Sequence, residues 1–295
     1  MSDLRRICLL GFGEVGQVLA ADLRTRGELV AWDPLFSTPS SSPSRAAAAG
    51  LARAARGAPD AVTGAYLVVS AVTAAQCVAA AADAAPALAT GTVYLDLNSV
   101  SPATRARAAS SIEAGGGRYV EAAVMSPIGP KRIGSPMLFG GPHAETLLPT
   151  LQAIGFGGAT AFSPVIGRAS AAKMCRSVMI KGMEALLGEA LLAARHHEVE
   201  QVVLESLGDL FPGLDWRTLA RYMIGRSLQH GRRRAEEMRE VALTVDEAGV
   251  GSAMSRAATD RQDWAALHSA ALQHQTLEPM LDAILARLGA GEARS

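Results

Sequence analysis

Apolar positions in the first half of the chain alternate between short unbroken runs and helix-spaced repeats. Residues 5–10 (RRICLL) form a run that stops at Gly11, and Val15, Val18, Leu19 and Leu23 then recur at helical spacing up to Arg24. A second run, Leu29 to Trp32, closes on Asp33 and Pro34. The PLFSTPSSSPSR stretch that follows is rich in Ser and Pro and reads as loop, and Ala46 to Arg56 reads as an Ala-rich helix. Tyr66 to Val72 predicts a third strand, residues 74–85 a helix, and Val93 to Leu97 a fourth strand. This alternation predicts a doubly wound, mostly parallel α/β sheet with strands apolar on both faces.

The pattern changes around Ser163–Gly167. One long helical pattern without proline runs from Arg168 to about Arg195, and further helical segments are expected near 199–210, 215–228, 232–247, 252–268 and 275–288. Strand signals do not return. The chain is therefore expected to divide into an α/β Rossmann domain, residues 1–165, and an all-α domain, residues 166–295, for substrate and dimerisation.

Charge and composition narrow the classes of partner. Lys plus Arg and Asp plus Glu are both 28, so no field of one sign attracts nucleic acid or a membrane surface. The local cluster Arg232, Arg233 and Arg234 is offset by Glu236, Glu237 and Glu240. Aromatics are only 4% against 49% hydrophobic residues, so the core must be built mainly from Ala, Leu, Val and Met. Cys8, Cys77 and Cys175 lack metal-ligand spacing and fit reduced thiols, with Cys8 buried in a strand. No grouping of His, Asp and Glu points to a metal. The opening MSDLRRICLLGFG is too short for a signal peptide, and no later apolar run reaches about 18 residues. A soluble, cytoplasmic protein is expected.

Gly11-Phe12-Gly13-Glu14-Val15-Gly16 fits the G-x-G-x-x-G pattern, and its context gives the pattern weight: a strand precedes it, a helix follows, and Asp33 ends the next strand. The first glycine allows the tight turn, the second lets backbone approach a pyrophosphate, and the third lets helix pack on strand. A helix N-terminus offers free N–H groups and a positive dipole end to the phosphates. Asp33 lies where an acidic residue takes the adenine ribose hydroxyls and disfavours a 2′-phosphate, which points to NAD. Ser37, Ser40, Ser41, Ser42 and Arg45 in the next loop offer contacts to such a phosphate, so NADP stays open. Val72 and Thr73 at the end of the third strand and Asn98 after the fourth complete the expected cofactor contacts.

Four later segments carry a resemblance. They are Asp96-Leu97-Asn98-Ser99-Val100-Ser101-Pro102, Glu121-Ala122-Ala123-Val124-Met125-Ser126-Pro127, Gly134-Ser135-Pro136-Met137-Leu138-Phe139-Gly140-Gly141, and residues 167–177 (GRASAAKMCRS). Together with the glycine turn they resemble the β-hydroxyacid dehydrogenase superfamily, which includes 3-hydroxyisobutyrate and 6-phosphogluconate dehydrogenases. The HGRRRAEEMREV segment at 230–241 is similar to a C-terminal domain of unknown function in phosphogluconate-dehydrogenase-like bacterial proteins. Two positions depart from the family: Pro127 and Ile128 replace glycines after the substrate serine, and Ser177 stands where an asparagine usually follows the lysine.

The resemblance implies NAD(P)-dependent hydride transfer with a small β-hydroxy acid or related carbonyl substrate, and Lys173 as the general acid/base. A lysine of ordinary pKa, about 10.4, suits protonation of a developing alkoxide better than removal of a proton near neutrality. Ser126 is expected to hold the substrate's carboxylate or another polar group. Ser177, at i+4 from Lys173, is expected on the same helix face. His230 is placed before an arginine-rich helix start, either closing over the substrate with Arg233 or Glu237 or serving as a helix-junction histidine. Imine or β-keto reduction is the alternative chemistry, although Lys173 favours hydroxyl/carbonyl chemistry, and a non-catalytic nucleotide-sensing protein is the alternative class. The apolar stripe Met179, Met183, Leu186, Leu187 and Leu191 predicts a homodimer through the helical half.

Overall fold

The computed structural model describes residues 6–292. Arg5, at the edge of the expected first strand, lies outside the described residues. The first runs form β1 (Arg6–Leu10), α1 (Glu14–Leu23) and β2 (Glu28–Trp32). The next stretch differs from the expectation at both ends. The Ser/Pro-rich segment is not all loop: Pro34–Ser37 makes a short 3-10 turn, and α2 (Ser42–Ala48) starts within the segment because Ser41 Oγ accepts from the Ser44 N–H at 3.2 Å. The Ala-rich run does not continue as helix to Arg56. Gly50 takes φ +79° just after α2, and Arg53–Ala54 forms β3, paired with β2. Ladder pairing and a left-handed turn override the alanines' helix propensity here.

Then follow α3 (Ala58–Val62), β4 (Ala65–Ser70), α4 (Cys77–Ala84), β5 (Val93–Asp96), α5 (Pro102–Ala114) and β6 (Arg118–Val124). The sheet is completed through α6 (Ile128–Lys131), β7 (Met137–Gly140), α7 (Ala144–Ile154) and β8 (Ala159–Ser163). Among the described residues the strand order is β3-β2-β1-β4-β5-β6-β7-β8, and only the β6–β7 pair is antiparallel. Period-two alternation sends neighbouring side chains to opposite cores. Ile7, Leu9, Leu67, Val69, Val93 and Leu95 pack on one face, and Cys8, Leu10, Val68, Tyr94 and Tyr119 on the other. Both faces are thus covered, as a parallel sheet with crossover helices requires. Burial pushes the Cys8 thiol pKa up, which fits an inert core residue.

The chain divides into two units, Met1–Met174 and Cys175–Ser295, so the first turns of α8 (Arg168–His196) belong with the sheet. The second unit holds the rest of α8 with α9 (Glu200–Leu210), α10 (Trp216–Glu247), α11 (Ala253–Ala265) and α12 (Leu277–Glu292). The segments expected at 215–228 and 232–247 are one helix, α10. Gly231 does not break it; a Cβ there would press on the Gln262 carbonyl and lie 2.9 Å from the Ala266 nitrogen, so this glycine lets α10 and α11 approach closely. His230 is consequently a half-buried residue of the helix interior and not one at a helix start.

The core of this unit gathers Leu187, Leu191, Leu204, Ile224, Met280 and Leu281. Two buried ion pairs run through it, Glu184 with Arg234 and Lys181 with Glu237 at 2.7 Å. Among the described residues, no helix is long and apolar enough to cross a membrane.

Candidate active site

Parallel strands align their C-terminal ends along one edge of a sheet, and this sheet reverses its winding between β1 and β4. The chain fills β2 and β3 on one side and then crosses to β4 on the other. Ligands of open α/β sheets sit at such a switch point. Along this edge the strands deliver, in order, Asp33 after β2, Gly11 after β1, Val72 and Thr73 after β4, Asn98 and Ser99 after β5, and Ser126 after β6. At roughly 4.8 Å per strand, Gly11 and Asn98 stand about 10 Å apart across the sheet. The topology therefore brings the expected cofactor residues into one row.

Each glycine of the turn has a separate physical reason. Gly11 has φ +87°, and a Cβ there would lie 2.5 Å from the Ala71 carbonyl oxygen and 3.0 Å from the Val72 nitrogen. It is glycine because the turn lies against the end of β4. Gly16 faces the Gly11 carbonyl, where a Cβ would collide. Gly13 has φ −74°, and a Cβ would meet no protein atom within 4 Å. Neither backbone nor packing requires glycine there, and the open space lies at an α1 N-terminus that no side chain caps. That combination fits a pyrophosphate, which needs close backbone approach and unpaired N–H groups. Phe12 is buried, whereas Glu14 is exposed and Val15 half-buried in the first turn of α1.

Asp33 is tied to the same turn. Its Oδ2 accepts from the Phe12 N–H at 2.7 Å and its Oδ1 from the Leu35 N–H at 2.9 Å. The expected phosphate contacts in the next loop are largely engaged with the loop's own carbonyls. Ser41 and Ser44 hydroxyls donate to the Leu35 carbonyl, Ser37 to Pro34, and Arg45 to the Ser40 carbonyl. Ser42 Oγ accepts from Gln17 at 3.1 Å.

Lys173 meets the row at β5. Its Nζ donates to Ser99 Oγ at 2.6 Å, which ties the third residue past β5 to the second turn of α8. Asn98 is buried, its Nδ2 donates to Ser70 Oγ at 3.0 Å, and its Oδ1 has no hydrogen-bond partner among the described residues. Ser126 is half-buried after β6, and its hydroxyl donates to the Pro127 carbonyl at 3.3 Å. Ser177 and His230 belong to the second unit. Ser177 is buried there, and its Oγ accepts from Lys181 Nζ at 3.3 Å. Glu237 pairs with Lys181 and with Arg233, each at 2.7 Å.

Behind the row lies a buried charge cluster that sequence reasoning missed. Arg105 on α5 is 1% exposed and pairs with Asp96 Oδ1 at 2.6 Å. Its Nη1 also donates to the Asp96 carbonyl at 3.1 Å, its Nη2 to the Asn98 carbonyl, and its Nε to Ser170 Oγ at 3.0 Å. Tyr119 donates to Asp96 Oδ2 at 2.6 Å. Glu121, fully buried on β6, accepts from the Gly167 and Ala169 N–H groups at 3.0 Å each and from Ser170 Oγ at 3.0 Å. It thereby caps α8 from a neighbouring strand. Burial opposes the Arg105 charge, but Asp96, Tyr119, Cys77 and Glu121 hold its pKa well above the ordinary value. Burial, and next the Asp96 charge, push the Tyr119 hydroxyl up, so it remains a hydrogen-bond donor.

Comparison with known proteins places this geometry. Residues 6–167 match the model of the NAD binding domain of 6-phosphogluconate dehydrogenase, and residues 194–265 match a domain of unknown function (DUF1932). No curated protein sequence matches the chain. Among solved structures, a conserved hypothetical protein from Sinorhizobium meliloti 1021 is 38% identical, with 97% of each chain covered and a TM-score of 0.72. A conserved protein of unknown function, described as structurally similar to 3-hydroxyacid dehydrogenases, is 33% identical over 88% of this chain and 96% of its own, with a TM-score of 0.67. The 3-hydroxyisobutyrate dehydrogenase of Mycobacterium tuberculosis is 18% identical over 96% of this chain and 99% of its own; its TM-score of 0.71 shows the shared fold.

The fit around Glu121 generates a test. A Cβ on Gly140 would press on Glu121 Oε1 and lie 2.8 Å from its Cδ, and the carboxylate is held from the other side by α8. Gly140→Ala is expected to destabilise the chain by about 1–3 kcal/mol through overpacking. An unchanged denaturant midpoint would show that Glu121 is free to move aside.

Proposed function

Because the chain belongs to the β-hydroxyacid dehydrogenase superfamily, with the NAD binding domain of 6-phosphogluconate dehydrogenase and a DUF1932 domain, we propose that it is an NAD(P)-dependent oxidoreductase acting on a small β-hydroxy acid or related hydroxyl/carbonyl compound. The observation that carries this reading is the Lys173 ammonium on Ser99, at the same sheet edge as the glycine turn. When bound, the nicotinamide supplies hydride chemistry; the protein's own task is to orient the substrate and handle one proton.

Gly11, Phe12, Gly13, Glu14, Val15 and Gly16 would hold the pyrophosphate on the α1 N-terminus, Asp33 the adenine ribose, and Val72, Thr73 and Asn98 the nicotinamide half. Asp33 favours NAD, since its carboxylate repels a 2′-phosphate and the neighbouring Ser and Arg side chains are engaged with loop carbonyls and with Gln17. Lys173 then acts on the reacting oxygen. In reduction its Nζ gives a proton to the developing alkoxide, and in oxidation the neutral amine takes the hydroxyl proton. Ser99 fixes the direction of one Nζ–H bond and so places the nitrogen against the end of β5. Ser126, at the next strand end, is assigned to the substrate's carboxylate. His230 and Ser177 are assigned to substrate contacts from the helical unit.

We further infer a homodimer through that unit. The structure splits the expected apolar stripe: Leu187 and Leu191 are buried in the subunit's own core, whereas Met179 and Leu186 are more than half exposed. Val202 and Leu210 on α9 are exposed as well. Apolar area of this kind is ordinarily covered by a partner.

Four measurements test these assignments. Gly13→Asp keeps a good helix N-cap but places a charge where phosphate would lie, so the thermal midpoint should hold while NADH binding weakens by about tenfold or more. In the wild type NADH should bind more tightly than NADPH; the reverse order would remove Asp33 from the ribose contact. Lys173→Met should lower turnover by about 10²–10⁴, measured by cofactor absorbance over a panel of hydroxy acids, with NADH affinity unchanged; near-wild-type turnover would sink the proposed mechanism. Light scattering at micromolar concentration should give twice the chain mass, and a monomer would defeat the dimer.

A further inference from the structure

We propose that Arg105 is the positioning residue for Lys173, holding both ends of the Lys173–Ser99 hydrogen bond from behind the site. The proposal rests on the reading of Lys173 as the proton-carrying group.

One side of the Arg105 guanidinium fixes the segment that leads to Ser99. Its Nη1 bonds the Asp96 carboxylate at 2.6 Å and the Asp96 carbonyl at 3.1 Å, and its Nη2 bonds the Asn98 carbonyl. Asp96 Oδ1 also accepts from the Asn98 N–H at 2.9 Å, so the two residues preceding Ser99 are clamped at several points. The other side fixes the helix that carries Lys173. Arg105 Nε donates to Ser170 Oγ at 3.0 Å and lies 3.6 Å from Glu121 Oε2, the carboxylate that caps α8. Ser170 is three residues before Lys173 and therefore on the same face of α8. A single rigid fork thus joins the donor's helix to the acceptor's loop.

Stability alone does not account for this arrangement. Burying one guanidinium with two carboxylates costs desolvation that a well-packed apolar set avoids, and such sets commonly replace buried ion pairs without loss. Placement does account for it. Arginine's planar donors are fixed relative to one another, whereas a lysine at 105 presents one nitrogen and cannot serve the Nε and Nη partners together. The Tyr119–Asp96 hydrogen bond closes the cluster at 2.6 Å and keeps the Asp96 carboxylate turned toward Arg105.

The sequence supplies a substrate-independent probe, since its only lysines are Lys131, Lys173 and Lys181. Reductive methylation of the full chain with 13C-formaldehyde labels these three side chains, and each dimethylammonium keeps one N–H. Lys131 is exposed and Lys181 is buried in the second unit, so both serve as internal references. Lys173→Met assigns the third signal by its loss. In Ser170→Ala, a mild change that removes one link, and in Arg105→Lys, the Lys173 signal should move toward the Lys131 position while the Lys181 signal stays. In Ser170→Ala NADH affinity should also stay, as the Ser170 hydroxyl bonds Arg105 and Glu121, neither of which is assigned to the cofactor.

An unmoved Lys173 signal in the folded variants overturns the proposal, and Ser170→Ala decides the matter if Arg105→Lys does not fold. A Lys173 signal that shifts as expected, in an enzyme whose Lys173→Met variant keeps its turnover, would support the coupling and refute only the acid/base reading.

Discussion

A carboxylate with no solvent exposure needs donors at both oxygens, and Glu121 finds them by reaching into the first turn of α8. The unpaired N–H groups of a helix N-terminus and a buried negative charge satisfy one another. Arg105 supplies the opposite charge, Ser170 a hydroxyl, and Gly140 the empty volume in which the carboxylate lies. Removal of the Arg105 charge from this cluster leaves buried carboxylates uncompensated, at a cost of about 3–5 kcal/mol. The first turns of α8, which carry Lys173, are held to β6 by this contact.

The parallel edge sets the other half of the geometry. Because β2, β1, β4, β5 and β6 run the same way, residues distant in sequence arrive in the order of the strands and not of the chain. Asp33 and the glycine turn sit side by side, joined through the Phe12 N–H. Ser99, 66 residues beyond Asp33 in sequence, is brought to the same edge and meets Lys173 there. The antiparallel β7 then ends this parallel row after β6.

What could be read from the sequence was what depends on local pattern. The strands show as apolar runs because both faces are buried, and the glycine turn shows because three separate steric demands fall within six residues. The Ala46–Arg56 helix failed because alanine is permissive, and a pairing with β2 together with Gly50 decided the outcome. The break expected before residue 232 failed because Gly231 serves an approach of two helices, which a single sequence does not display. Arg105 and Glu121 went unrecognised for a related reason. Each is a charged residue in an amphipathic or mixed segment, where the ordinary reading is a solvated side chain, and only the fold reveals that they are buried together. The segment that holds Glu121 carries part of the family resemblance, which does not mark the residue as a helix cap.

One compositional signal bears on the site more directly. Of 28 basic residues, three are lysines and the remaining 25 are arginines, and two of the three lysines lie on α8. Arginine serves well wherever a permanent, planar cation is wanted, as Arg105 and Arg234 do in buried pairs. It cannot give up its proton in water-accessible pH ranges. Lysine can, and its three donors point freely enough to turn between a serine hydroxyl and a substrate oxygen. Lys181 is committed to Glu237 within the helical unit, where its charge is matched. Lys173 donates to the hydroxyl of Ser99, which orients the nitrogen at the end of β5. In a chain that uses arginine almost everywhere, a lysine at this sheet edge fits the proton transfer proposed for it.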